Sequence, residues 1–156
     1  MKKAVIFSLV FVIVCVLCSC EAPEDKVLSS LGRYNSYEFY TQGEFQDYTD
    51  YAKYYFCDVN VDGNEYFTRV QAEDTETINE IITDFEGWIK VYREADPTRE
   101  IVVNYHFDRS VIDSADYFYV DSEKSTNSDG SASFLKYNLY IFDTQTNTLY
   151  YFHNNI

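Results

Sequence analysis

The chain has 156 residues, and 26 acidic against 12 basic side chains give it a formal net charge of −14 at neutral pH. Because a chain this acidic repels nucleic acid and anionic lipid headgroups, we expect it to bind neither. Acidity favours cationic or basic partners, although solubility alone explains it equally well.

The N-terminus carries the features of an export signal. Lys2 and Lys3 precede an apolar run, Ala4 to Leu17, that is interrupted only by Ser8. A membrane-spanning helix needs about 20 apolar residues, so this run is too short to span. The pattern is typical of a cleavable signal peptide.

The run ends in Leu17-Cys18-Ser19-Cys20, which resembles the lipobox of bacterial lipoproteins. The resemblance implies that cleavage makes Cys20 the new N-terminus and that its thiol carries a diacylglyceryl group, with acyl chains such as palmitate. Two acyl chains anchor a protein stably, whereas one binds only reversibly. The implied location is extracytoplasmic, at the cell membrane surface. The alternative is an ordinary secretory signal that ends near cysteines.

Cleavage before Cys20 would leave 156 − 19 = 137 residues, enough for one domain and too few for two. We predict a signal peptide at 1–19, a polar tether at 20–33 and a single α+β domain at 34–156. With Cys20 acylated, Cys57 is the cysteine left to the mature chain, so no intrachain disulfide forms. We expect Cys57 to be a small buried residue in an apolar strand.

Aromatic, β-prone segments open the domain. Tyr34 to Tyr40 predicts a first strand that ends in a turn at Gln42-Gly43, while segment 45–51, broken by acids, gives no clear prediction. Two further strands, Tyr54 to Val59 and Tyr66 to Val70, are expected to form a hairpin around Asp62-Gly63-Asn64.

One amphipathic helix is predicted at about 74–95. Apolar side chains recur there at helical spacing, and Asp96-Pro97 ends the pattern. They are Ile78, Ile81, Ile82, Phe85, Trp88, Ile89 and Tyr92.

Four strand-like runs follow the helix: Ile101 to Phe107, Asp116 to Asp121, Phe134 to Phe142, and Thr148 to His153. A polar loop is expected at 122–133 and a turn at 143–147. This order predicts an α+β fold in which an antiparallel sheet curves around one long helix.

The element order is similar to that of cystatin-like folds. The Gln-x-Val-x-Gly loop of cystatin inhibitors is missing, so protease inhibition does not follow from this resemblance. The segments Phe45 to Tyr55 and Leu149 to Ile156 also resemble small tyrosine-rich lipoproteins of Gram-positive gut bacteria. That second resemblance implies no activity.

Two acidic clusters are candidate calcium sites. Asp58, Asn60 and Asp62, followed by Gly63, match the opening of an EF-hand loop, but its twelfth position is Arg69 where a glutamate ligand belongs. A hairpin turn explains the same residues and is favoured.

The second cluster comprises Asp108, Asp113 and Asp116, which could bind calcium or simply form turns. The two histidines, His106 and His153, lie on predicted strands and could meet to bind zinc, but no third ligand is indicated. Two half-buried histidines explain them more simply.

No nucleophile elbow, phosphate-binding glycine loop or His-Glu-x-x-His motif is present. Sixteen tyrosines and twelve phenylalanines exceed what a small core can hide, so some rings should be exposed. The sequence therefore predicts a non-catalytic module that binds a peptide, protein or glycan partner and needs no cofactor. The alternatives are a cell-envelope hydrolase or inhibitor, and a calcium-stabilised surface module.

Overall fold

A computed structural model of the protein describes residues 25–44, 47–128 and 132–155. The predicted signal peptide, Cys20 and the first residues of the predicted tether lie outside this range. The described helices are α1 (Lys26–Ser29), α2 (Asp74–Ala95) and α3 (Glu100–Asn104), with a 3-10 turn at Arg109–Val111. The strands are β1 (Ser36–Glu44), β2 (Asp47–Tyr55), β3 (Thr68–Arg69), β4 (Tyr117–Thr126), β5 (Ala132–Asp143) and β6 (Thr148–Asn155).

The strands form one open sheet in the order β1-β2-β6-β5-β4-β3, and every neighbouring pair is antiparallel. The predicted mixed α+β class with an antiparallel sheet is therefore confirmed. We call the side on which α2 lies the helix face and the opposite side the second face.

The main core lies between α2 and the helix face. Its helical side chains recur at spacings of three and four because those positions share one side of a helix. They pack against large side chains from the central strands. The buried set includes Ile78, Ile81, Ile82, Phe85 and Ile89 from α2, and Tyr51, Tyr137, Leu139, Ile141 and Phe152 from the sheet.

Part of the second face is covered by α1 and by the segment between β2 and β3. Leu31 is buried there, and the Tyr140 hydroxyl donates a 2.6 Å hydrogen bond to an Asp25 carboxylate oxygen. Part of the predicted tether therefore packs on the sheet, through Val27, Leu28 and Leu31, because these apolar side chains cover its surface. The division into tether and domain stays a prediction. The other side chains of this second core include Phe56, Val61, Phe67, Tyr117, Phe142 and Leu149.

The strand predicted at Ile101 to Phe107 is wrong, because Glu100–Asn104 is helical. A strand would bury alternate residues, but here the consecutive Ile101 and Val102 are buried and Val103 is exposed. Among the described residues, three strands rather than four therefore follow α2.

The predicted hairpin around Asp62-Gly63-Asn64 is also wrong. A tight turn does occur there, with the Asn64 amide donating to the Val61 carbonyl, but β2 ends at Tyr55 and β3 pairs with β4. Burial explains the difference, since Val61 and its apolar neighbours cover the second face instead of extending the sheet.

Two predicted loops are shorter or absent. The strand β1 runs through Gln42-Gly43 without turning there, and its register with β2 continues to the pair Glu44–Asp47. The predicted loop at 122–133 is occupied at both ends by β4 and β5, which pair as a hairpin. The predicted turn at 143–147 is confirmed by the adjoining ends of β5 and β6.

Candidate functional site

The second face is only partly covered, and its uncovered part presents aromatic rings. Tyr37, Phe39 and Tyr48 are 58%, 44% and 37% exposed. Tyr37 and Phe39 lie directly opposite Tyr54 and Ala52, which are buried on the second face, and residues directly opposite in a sheet share a face. Tyr48 lies on the same face because it is an even number of positions before Ala52 in β2. We call Tyr37, Phe39 and Tyr48 the aromatic surface.

Neighbouring rings hold part of this surface in place. The Tyr37 ring stacks on Tyr54 with centroids 6.0 Å apart and meets Tyr34 edge-on at 5.5 Å. Phe39 lies directly opposite the small, buried Ala52. Rings ordered in this way lose little conformational entropy when a ligand covers them.

A row of polar side chains crosses the second face beside the aromatic surface. Asp50 lies directly opposite both Thr41 and His153, and Asn138 lies opposite His153. Asp50 and His153 are only 6% and 8% exposed. Tyr48 contributes to that burial, since its ring centroid lies 4.7 Å from that of His153. We call Thr41, Asp50, His153 and Asn138 the polar row.

Hydrogen bonds orient the His153 ring. The Tyr151 hydroxyl donates to Asn138 Oδ1 at 2.9 Å, which identifies that oxygen as an acceptor. His153 Nδ1 lies 2.8 Å from the same oxygen, so Nδ1 carries the proton in the tautomer that fits this network. In the neutral ring, Nε2 is then an acceptor.

Burial shifts the pKa values of Asp50 and His153 in the directions that favour their neutral forms. It raises the pKa of Asp50, an effect that the Thr41 hydroxyl partly offsets. It lowers the pKa of His153. The polar row is thus a place where charge is costly.

Each of these two groups also has an unpaired buried atom. Asp50 Oδ1 and His153 Nε2 have no hydrogen-bond partner among the described residues. A buried polar atom left unpaired costs about 1–3 kcal/mol. Groups that bear such a cost, with shifted pKa values, are more frequent at functional sites than elsewhere. The aromatic surface and the polar row together are therefore the candidate site.

The first predicted calcium cluster is not assembled around a common point. The Asn60 side chain accepts from the Asp62 amide, and Asp62 accepts from the Tyr117 hydroxyl at 3.3 Å. Arg69 donates to that same hydroxyl at 2.6 Å, which places a cation near the candidate ligands. Asp58, the third candidate, is exposed.

The carboxylates of the second predicted cluster are bonded to backbone amides in turns. Asp108 accepts from Ser110 and Asp113 from Ala115, while the fully buried Asp116 accepts from Asp113 and Thr144. Within the described ranges, no group of three His, Cys, Asp or Glu side chains could hold a metal ion. Calcium binding stays a prediction, and melting the protein with calcium and with chelator tests it.

The predicted histidine pair does not meet. His153 lies on the second face, whereas His106 is exposed between Tyr105 and Phe107, whose rings pack on the helix face. The expected burial of Cys57 is wrong as well, because β2 ends two residues earlier and the thiol is exposed.

Neither a protein-family model, nor a curated protein, nor a solved structure matches this chain. Among the helices in the described residues, none is both long and apolar enough to cross a membrane.

Sequence patterns had singled out only His153 from the candidate site. The alternation of Tyr37 and Phe39 with polar residues is a signal of a strand face, but it does not tell which face stays uncovered. Asp50 and His153 are 103 positions apart in the sequence, and only the register of β2 with β6 brings them together.

Proposed function

We propose that this protein is an extracytoplasmic binding module, attached to the bacterial membrane through a diacylglyceryl group on Cys20, that binds a peptide, protein or glycan without chemical conversion. The anchor rests on the similarity of Leu17-Cys18-Ser19-Cys20 to the lipobox. The binding role rests on the candidate site.

The exposure of the aromatic surface is the observation that carries this proposal. Three large rings share the uncovered part of one face and are bordered by the polar row. Aromatic side chains provide rigid contact area, and polar groups beside them orient a ligand. In addition, Asp50 Oδ1 and His153 Nε2 have unused hydrogen-bonding capacity.

Binding to arrays of envelope glycans and peptides tests the proposal. We expect Phe39→Ser and Tyr48→Ser to reduce retention of a bound ligand by about tenfold or more, since aromatic anchors dominate interface energies. Val91→Ser is the matched control, because Val91 is an exposed apolar residue on α2, far from the candidate site in the fold. Equal losses in all three variants, or no retained ligand, would refute the proposal.

A second candidate function is a cell-envelope hydrolase. Asp50 and His153 lie directly opposite each other, and each has an unpaired buried atom that could exchange a proton with a substrate, which favours this candidate. Turnover of an envelope glycan or peptide that is lost in both Asp50→Asn and His153→Gln would support this candidate. Binding without turnover supports the non-catalytic module.

We also propose that the sheet wraps around α2 with a cystatin-like topology. In support, β3, α2 and the meander β4–β5–β6 follow one another, and the four strands lie side by side in the sheet. A solution structure of the full chain tests the curvature of the sheet.

A further inference from the structure

The two edges of the sheet differ in length. The strand β3 at one edge has two residues, whereas β1 at the other edge has nine and pairs only with β2 among the described strands. A long edge strand offers a row of unpaired backbone groups to another chain.

Proteins usually protect such an edge with lysine, proline or a bulge, and β1 lacks these three, although it contains Glu38 and Glu44. Its nine residues contain neither lysine nor proline. Its register with β2 is continuous from Ser36–Tyr55 to Glu44–Asp47, without a bulge that would twist the edge away. The helix α3 packs near β1, but Tyr37, Phe39 and Thr41 are exposed.

The direction of the free backbone groups follows from the register. The Tyr55 carbonyl accepts from the Asn35 amide next to β1, so the odd-numbered residues of β2 bond to β1. The Phe56 amide donates to the Asn147 carbonyl next to β6, so the even-numbered residues bond to β6. Even-numbered residues of β1 oppose the odd ones of β2 and are therefore used in the sheet. Between Ser36 and Thr41, the amides that point outward are therefore those of Tyr37, Phe39 and Thr41.

These residues also direct their side chains to the second face, where Tyr37 and Phe39 form part of the aromatic surface. A strand added to β1 would place every second side chain beside these two rings. Those positions favour apolar or aromatic residues, since they would bury exposed ring area.

The charge of the chain favours one kind of partner. A net charge of −14 attracts lysine and arginine and opposes the approach of a second copy. We propose that β1 binds an extended peptide, in which apolar residues alternate with basic ones, as an added strand of the sheet. This inference rests on the proposed binding function and specifies its partner class.

A proline substitution at the edge tests the proposal. Thr41→Pro removes an outward amide and leaves the bonds to β2, and proline is tolerated at such edge positions. Thr41→Val is the matched control, because it also removes the hydroxyl but keeps the amide. The probe is a synthetic heptapeptide in which lysine alternates with phenylalanine and valine, and the full chain is kept in detergent micelles.

Since both variants lack the Thr41 hydroxyl, the test is the difference between them. We expect fluorescence anisotropy to show binding about tenfold or more weaker in Thr41→Pro than in Thr41→Val, because a backbone hydrogen bond is lost and the ring blocks its neighbour. In the unmodified protein, the peptide should slow hydrogen exchange at the Phe39 and Thr41 amides. That measurement decides the question if Thr41→Pro does not fold.

Equal affinity of the two variants, or unchanged exchange at both amides, would overturn the inference. So would a dimer of this chain that Thr41→Pro dissociates, because a second copy would then occupy the edge. A glycan that is lost in Phe39→Ser but bound normally by Thr41→Pro would also overturn it, while the proposed binding function would stand. If the unmodified protein bound neither the peptide nor any glycan, both this inference and the proposed binding function would be contradicted.

Discussion

The two faces of the sheet belong to the same six strands but are covered by different segments of the chain. On the helix face, α2 covers a continuous apolar core that includes Phe85. On the second face, α1 and the segment before β3 cover one part and leave the aromatic surface exposed. Each face has two unpaired buried polar atoms among the described residues, but only those on the second face, at Asp50 and His153, belong to groups that can ionise at ordinary pH. The exposed rings and the two ionisable groups with unpaired atoms therefore lie on the same face of the sheet, the one that we propose binds a ligand.

The largest effect should come from the helix face. We expect Phe85→Ala to lower the free energy of unfolding by about 3–5 kcal/mol, because the fully buried ring would leave a cavity. Phe39→Ala on the second face should cost less than about 1 kcal/mol, since its ring is exposed. Urea denaturation of both variants measures the difference. Similar costs would show that the two faces do not differ as described.

A smaller effect is expected where α1 covers the second face. Leu31→Ala should lower the free energy of unfolding by about 2 kcal/mol, because Leu31 is buried against the sheet. The neighbouring Ser29→Ala is the control and should stay within about 0.5 kcal/mol, since Ser29 is exposed. If Leu31→Ala leaves the urea midpoint unchanged, residues 25–33 are a tether after all.

The smallest effect concerns Asp50, and it has the opposite sign. Since burial raises the pKa of Asp50, the folded state holds the proton more tightly, and stability falls as pH rises from the unfolded pKa through the folded one. Asp50→Asn removes this decline and should stabilise the protein at pH 7 by about 1–2 kcal/mol. Thermal melts at about four pH values between about 4 and 7 measure this change in the pH dependence of the melting temperature.

The exposed Asp47 on the same strand provides the control for that substitution. Asp47→Asn should not alter the pH dependence of the melting temperature. An Asp50→Asn variant that is less stable than the parent at pH 7 would mean that the hydrogen bond from the Thr41 hydroxyl outweighs the cost of burying the carboxylate.

Local sequence patterns predicted the elements whose signals are local. A helix at about 74–95 followed from apolar spacing, and the structure has Asp74–Ala95 helical. The alternation from Ile101 to Phe107 misled because α3 uses Ile101 and Val102 together, which only packing against α2 explains. The candidate site could not be predicted, because it depends on the register between β2 and β6 and on where α1 lies.

If Cys20 carries a lipid, as we propose, the hydrogen bond between Tyr140 and Asp25 would limit how far the domain stands from the membrane. Asp25 is five positions after Cys20, and an extended chain spans at most about 3.6 Å per residue, so the reach is about 18 Å. A free tether ending at Arg33 would reach more than twice as far. With a lipid on Cys20, Asp25 and the part of the second face that it contacts would lie within about 18 Å of the bilayer surface.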